Sequence, residues 1–321
     1  MEQENPPAPP PALGAPAHSG RKPPSYPPVP QALPRVSDDP TAAVLPDIVL
    51  DGAAHGPLTV RAASVRGDSH RYLGEPRQDA LGVSLLGEPG AAELLMLAVA
   101  DGVGSARLSH VGSNHACRWA AWILARYAEE LHETLVTEDA ERFAALADTA
   151  AEWIAARLTR TAERAAHEPA SYATTLRVLL VPLDPAVRTR GFLAVGDGGT
   201  ALLSDGRWDL TVTDPEPDPG AGAEDGEAAE AAVIDTRTAA LPLTGTAVTR
   251  LIGTRPGDVL VLGTDGLSTP LAGEQEMRDF LRTAWGGGTV PDPADFLWQV
   301  QYRVKSYDDD RTAAVLWEAP A

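Results

Sequence analysis

The stretch Leu94-Leu95-Met96-Leu97-Ala98-Val99-Ala100-Asp101-Gly102 decides how this chain is read. It is an unbroken apolar run of strand length, the mark of a strand buried on both faces. The run stops at an aspartate followed by a glycine. Two further runs stop in the same way: Phe192-Leu193-Ala194-Val195-Gly196 at Asp197-Gly198, and Val259-Leu260-Val261-Leu262-Gly263-Thr264 at Asp265-Gly266. A fourth acidic group, Asp308-Asp309-Asp310, comes just before the apolar stretch Thr312 to Trp317. Asp79, after Gln78, comes just before Ala80 to Leu86.

Any single Asp-Gly is explained by turn chemistry, since the pair is a common hairpin turn. Several at the ends of buried strands require more. Strand ends in a layered sheet converge on one rim, and carboxylates gathered there repel one another unless a cation neutralises them. Carboxylate and carbonyl oxygens suit Mg²⁺ or Mn²⁺. A glycine after the aspartate lets the backbone carbonyl come close to an ion. The pattern points to a binuclear site with oxygen ligands.

Outward from these strands, residues 109–132 carry Val111, Trp119, Trp122, Ile123, Tyr127 and Leu131 on one helical stripe. Residues 139–168 repeat the spacing with Phe143, Leu146, Trp153, Ile154 and Leu158. The two helices are expected to pack antiparallel, with their tryptophans in the core. Together with the strand runs, including Leu176 to Val181, this reads as one α+β domain over residues 58–318.

Two segments fall outside that pattern. Fourteen of the 29 prolines lie between Pro6 and Pro46, so residues 1–46 are expected to form a disordered, proline-rich tail. Residues 214–230 (DPEPDPGAGAEDGEAAE) hold seven acids and no base, and read as a flexible acidic surface insert.

Composition narrows the function. Of 321 residues, 26 are Lys or Arg and 45 are Asp or Glu, a formal charge of −19 that repels phosphate backbones and argues against nucleic-acid binding. The same charge suits a protein that collects cations. The single cysteine, Cys117, excludes an intramolecular disulfide framework and a cysteine-based zinc site, and is read as a buried small hydrophobe. No apolar run reaches the length of a membrane span, and the N-terminus lacks the regions of a signal peptide. A cytoplasmic protein without membrane partners, acting as a monomer, is expected.

The order Gln78-Asp79-Ala80, DGVGSA (Asp101 to Ala106), Ala173-Thr174-Thr175-Leu176, Gly196-Asp197-Gly198, Thr264-Asp265-Gly266-Leu267 and Asp309-Asp310-Arg311-Thr312 resembles the metal-dependent (type-2C) serine/threonine protein phosphatases, most of all their bacterial branch. The resemblance implies a central β-sandwich flanked on both faces by antiparallel helix pairs, four layers in all, with metals at one edge between the sheets. It implies that Asp101 bridges two ions of Mn²⁺ or Mg²⁺ and that the Gly102 carbonyl ligates the second. Asp265 and Asp309 would hold the first ion, Thr312 setting the register so that Asp308 falls outside. Asp79 would orient metal-bound water, and Asp197 would hold a weaker third ion. The implied reaction is hydrolysis of phosphoserine or phosphothreonine by a metal-bridging hydroxide, without a phosphoenzyme. The implied substrate is a phosphorylated protein, with a serine/threonine kinase as its counterpart.

The sequence departs from that pattern in three places. Gln78 stands where the family has a second-metal glutamate. Gly74 stands where it has a phosphate-binding arginine, with Arg71 and Arg77 as candidate substitutes. Val103 stands where several members have a histidine acid, leaving His70 as the candidate proton donor or phosphate contact. These departures keep a second reading open, a catalytically weak or inactive relative that serves as a regulatory binding module.

Overall fold

The computed structural model describes residues 18–19, 23–27, 31–36, 38–40, 42, 45–213, 240–288 and 290–320. The first half of the chain comprises β1 (His18–Ser19), β2 (Ile48–His55), β3 (Leu58–Val65), α1 (Asp68–Leu73), β4 (Ala80–Leu86) and β5 (Leu94–Ala100). Helices α2 (Ser109–Leu124), α3 (Ala128–Thr137) and α4 (Ala140–Arg164) follow. The chain then forms β6 (Leu176–Pro182), β7 (Thr189–Val195), β8 (Gly199–Ser204), β9 (Arg207–Asp209), β10 (Val248–Gly253) and β11 (Val259–Gly263). It ends with α5 (Asp265–Gly273), α6 (Gln275–Trp285), α7 (Pro293–Val300), β12 (Arg303–Val304) and β13 (Arg311–Glu318).

Two antiparallel sheets carry the domain, one ordered β10-β7-β6-β5-β4 and the other β2-β3-β13-β11-β8-β9. Strand β5 shows why its sequence is apolar throughout. Side chains alternate across a strand, so Leu95, Leu97 and Val99 meet Val60, Leu262 and Leu316 of the other sheet. Leu94, Met96, Ala98 and Ala100 meet Ile123, Leu131 and Ile154 of α2, α3 and α4. The outer face of the second sheet (Ala63, Val261, Val315, Trp317) is covered by Leu267, Leu281 and Phe296 of α5, α6 and α7. The result is the expected order of helices, sheet, sheet and helices, with three short helices forming the second helical layer.

The helical layer over β5 differs from its sequence reading in two respects. The helix expected over 109–132 is interrupted by a 3-10 turn at Ala125–Tyr127, after which α3 swings over β7. Gly191 permits this, because a Cβ there would lie 2.6 Å from the Phe143 ring and 3.0 Å from Leu135. The tryptophans are not uniformly core: Trp122 is 42% exposed and Trp153 46%. Trp122 lies under the guanidinium groups of Arg126 and Arg157, 4.1 and 4.9 Å from its ring centre, and meets the Trp119 ring edge-on at 5.9 Å.

The start of the fold also lies earlier than expected. Strand β2 precedes Leu58; as an edge strand with mostly exposed or half-exposed residues, it lacks a continuous apolar signature. Where the proline-rich stretch is described, it lies against the domain and is not a free tail. His18–Ser19 pair with Arg303–Val304. The Gln31 and Ala32 amides donate to the Arg71 carbonyl, and Asp39 meets His167 at 2.9 Å. These contacts use backbone groups and single charges, which a stretch poor in apolar residues can still supply. The acidic insert 214–230 lies outside the described residues. No described helix is long and apolar enough to cross a membrane.

At one end the sheets are joined by a buried ion pair. Arg190 of β7 donates Nε and Nη2 to Glu318 Oε1 of β13 at 2.9 and 2.7 Å. Thr254 Oγ1 adds a bond to the same oxygen, and Arg188 Nη1 one to Oε2, both at 2.5 Å. Removing one partner of such a pair leaves a buried charge uncompensated, at a cost of about 3–5 kcal/mol. Glu318→Gln should therefore lower unfolding stability by that order, read from urea denaturation, whereas the exposed pair Arg142–Glu133 should be dispensable to within about 0.5 kcal/mol.

Candidate metal centre

The acidic rim lies at the opposite end of the sandwich from Glu318, where the β5, β11 and β13 termini meet. Asp79, one residue before β4, is 1% exposed, and its Oδ2 accepts from Thr264 Oγ1 and Thr312 Oγ1 at 2.7 Å each. Thr312 Oγ1 also lies 2.6 Å from Ser64 Oγ, which accepts from Arg77 Nη1 at 2.5 Å. Because Thr312 gives its proton to Asp79, Ser64 must donate to Thr312. A directed chain of donors thus runs from Arg77 through Ser64 and Thr312 to Asp79, tying β4 of one sheet to β11 and β13 of the other.

Asp101 closes β5, and its backbone is fixed by the threonine pair before β6. Thr175 Oγ1 accepts from the Asp101 amide at 3.0 Å, and Thr174 Oγ1 donates to its carbonyl at 2.8 Å. Asp265 opens α5, where the helix N-terminus favours a negative charge. Burial raises the Asp101 carboxyl, and the charges of Asp79 and Asp265, a hydrogen bond with Asp265 and the charge of Asp309 push it further, to about 11. Burial and the Asp310 charge raise Asp79 well above the usual carboxylate range despite its two hydroxyl donors. Asp309 is raised too, first by the protein packed around its carboxyl, although the side chain as a whole is largely exposed, and then by Asp310 and Asp265. Carboxylates that lift one another this far are the donor set that a hard divalent cation neutralises.

Three glycines set the spacing of this rim. A Cβ on Gly102 would lie 2.8 Å from Ser109 and 2.9 Å from the Gln78 carbonyl. One on Gly266 would lie 1.9 Å from the Asp310 carbonyl, and one on Gly67 would lie 2.4 Å from the Asp309 backbone. The glycine after each aspartate therefore serves close backbone packing, beyond any turn. The Gln78 side chain reaches the same loop, with Oε1 3.8 Å from where a Gly104 Cβ would stand.

Asp310 is the residue that sequence reasoning passed over. It is 2% exposed and accepts four donors: the Gly67 amide at 2.6 Å, His70 Nδ1 at 2.9 Å, the Asp79 amide at 3.3 Å and the Gln78 amide. It fastens α1, the Gln78-Asp79 pair and β13 to one carboxylate. The available signal was that three consecutive aspartates open a buried strand, so that one of them must turn inward. His70, Asp309 and Asp310 present ligand atoms within 4.8 Å of one another, but the hydrogen bonds to Asp310 and His70 make this an ion-pair cluster. Burial alone would lower the His70 pKa. The hydrogen bond and charge of Asp310, with the charges of Asp309 and Glu75, outweigh it and raise the pKa to about 9.

Other sequence candidates take other places. Asp197 is exposed in the turn between β7 and β8, and no hydrogen bond or ion pair joins it to the other acids. Neither substitute arginine is available to a phosphate. Arg71 is bound to Asp47 at 2.6 and 3.0 Å, and Arg77 is buried on Ser64 and the Asp79 carbonyl. The reason is tertiary, since Asp47 and Ser64 are distant in sequence.

The contrast between Asp309 and Asp310 is testable. Asp310→Ala strands buried amides of Gly67 and Gln78 and should cost about 2–4 kcal/mol in urea denaturation, since an unsatisfied buried donor costs about 1–3 kcal/mol. Asp309→Ala, at a side chain 63% exposed, should shift stability by less than about 1 kcal/mol.

Comparison with known proteins places the chain in a family. A search of curated proteins finds no match. Among solved structures, a bacterial serine phosphatase superposes with a TM-score of 0.53 at 18% identity, covering 82% of this chain and 98% of its own. The serine/threonine phosphatase of S. agalactiae gives 0.53 at 16% identity, covering 81% and 99%. At these identities the likeness establishes the fold. The family model described as protein phosphatase 2C matches residues 66–293, a span that includes Asp79, Asp101 and Asp265 and ends before Asp309. With that match over well more than half of its length, the chain belongs to the protein phosphatase 2C family.

Proposed function

We propose that the chain hydrolyses phosphoserine and phosphothreonine in proteins with the aid of two divalent cations, Mn²⁺ or Mg²⁺. The observation that carries this reading is the convergence of Asp79, Asp101, Asp265 and Asp309 on one rim, where Asp101 is pushed to about 11. Family membership and the serine phosphatase fold support it. Asp101 would bridge the ions, Asp265 and Asp309 would hold the first, and the Gly102 carbonyl with Gln78 Oε1 would face the second. Asp197, exposed at the rim's margin, would hold a weaker third. Such ions, when bound, acidify coordinated water and neutralise phosphoryl oxygens.

The chain's own groups supply the rest. Asp79 is held by two threonine hydroxyls in one orientation and would accept a proton from attacking water. His70 is kept charged by Asp310, and its Nε2 lies 3.8 Å from Asp309 Oδ1. It would donate a proton or hydrogen-bond a phosphoryl oxygen, the task that Arg71 and Arg77 are not free to perform. The substrate would be a phosphorylated protein, with a serine/threonine kinase as the opposing activity. One observation favours the alternative of a weakly active binding module: the second site has a neutral ligand, Gln78, where a charged one is expected.

Turnover of a phosphothreonine peptide should require added Mn²⁺ or Mg²⁺ and vanish in excess EDTA. Asp101→Asn and Asp265→Asn should each lose about 10²-fold or more in rate with the fold retained by circular dichroism. Activity undiminished by verified metal removal would overturn the reading. Gln78→Glu adds one charge to an oxygen site whose affinity follows ligand charge. It should tighten the weaker of two Mn²⁺ sites in calorimetric titration, and identical isotherms would show that Gln78 does not face the ions.

A further inference from the structure

Strand β4 is the outer strand of its sheet and pairs only with β5 among the described residues. Its free edge is not covered by charge or proline, the usual protections of an edge strand. It opens into a groove of about 420 Å³ between β4 and α2, lined by Leu81, Ser84, Leu85, Arg118 and Trp122, with Cys117 in its floor. Leu85 is 49% exposed and Trp122 42%. An edge strand beside a helix is the geometry in which an extended peptide adds to a sheet, its backbone pairing with the edge and alternate side chains entering the groove.

The charge beside the groove is opposite to that of the protein. Residues 109–127 contain no acid, in a chain of formal charge −19. Arg118 and Arg126 are exposed, and neither these two nor Arg157 forms an ion pair among the described residues. Arg126 and Arg157 both lie over the Trp122 ring, and Arg157 also lies 5.4 Å from the Trp119 ring centre.

We propose that the β4–α2 groove docks an extended, acidic segment of a partner protein. The segment adds a sixth strand on β4, places a large apolar side chain in the groove against Trp122, and sets carboxylates against Arg118, Arg126 and Arg157. The groove's Ala80 end adjoins Asp79, so the docked segment runs towards the acidic rim. Docking does not depend on hydrolysis. Residues 1–17 of this chain are poor occupants, because their six prolines lack the N–H that a ladder needs.

The test uses the full chain and a short fluorescein-labelled peptide in which Glu alternates with Val and Leu, with a second peptide carrying Lys for Glu. Fluorescence anisotropy should show saturable binding of the Glu peptide and at least about tenfold weaker binding of the Lys peptide. Arg126→Glu, at an exposed helical position, should weaken the Glu peptide by about tenfold or more, and Ser84→Asp, in the groove lining, likewise. Amide hydrogen exchange in wild-type protein should slow across residues 81–86 when the peptide is bound. Failure to bind, equal binding of both peptides, or binding without slowed exchange in β4 would overturn the proposal. So would a gain of about tenfold or more on deleting residues 214–239, which would make the chain's own acidic segment the occupant. Concentration-dependent dimers with β4 already protected would make the occupant a second copy and overturn it as well.

Discussion

The structure depends on bringing five carboxylates to one rim of a β-sandwich without losing the sandwich. Two of them, Asp79 and Asp310, are withdrawn into the protein and satisfied there by hydroxyl and amide donors. The other three, Asp101, Asp265 and Asp309, stay where water and ions can reach them, at the ends of β5 and β11 and the start of β13. The inner pair fixes where the outer three stand. Asp79 joins the two sheets through Thr264 and Thr312, and Asp310 fastens α1 and the Gln78-Asp79 pair to the start of β13. The acids raise one another's pKa values because their separation is set by this scaffold and not by their own preference. A cation at such a site gains its binding from repulsion that folding has already imposed.

A sandwich with a charged rim needs cohesion elsewhere. The alternation of β5, with one row towards the other sheet and one towards α2, α3 and α4, makes the strand a shared element of two cores. At the far end, Glu318 and Arg190 join the sheets again through a fully buried pair. The sheets are thus joined by polar contacts at both ends and by apolar contacts between. That arrangement limits sliding, which would otherwise change the spacing of strand-end aspartates.

The departures from the family pattern take on meaning in this frame. Gln78 keeps an oxygen at the DGVG loop while removing a charge, which unbalances the two proposed ion positions. The arginines nearest the rim are consumed by Asp47 and by Ser64 with the Asp79 carbonyl, leaving His70 as the cation beside Asp309. The basic, aromatic face of α2 carries the opposite charge to these acids, which distinguishes the proposed docking surface from the proposed catalytic rim on one domain.

Much of this was legible in the residues themselves. Unbroken apolar runs announced strands buried on both faces, because a strand's two faces alternate and both must be apolar. The termination of two of them at Asp101 and Asp265 pointed to one rim, because the strand ends of two packed sheets lie together. The four-layer order followed from the family resemblance and from two amphipathic helices. What the chain's order did not contain was which donors each acid would meet. Asp309 and Asp310 are neighbours in sequence, yet one is exposed and the other receives four donors, all from residues more than two hundred positions away. The break at Ala125–Tyr127, the exposure of Trp122, the loss of Arg71 to Asp47 and the contacts of the proline-rich stretch share that origin. Periodicity and residue type determine which faces are apolar and where strands stop. Partner choice among polar groups is decided only when distant segments are packed, because a hydrogen bond or ion pair depends on distances of a few tenths of an ångström that no local pattern encodes.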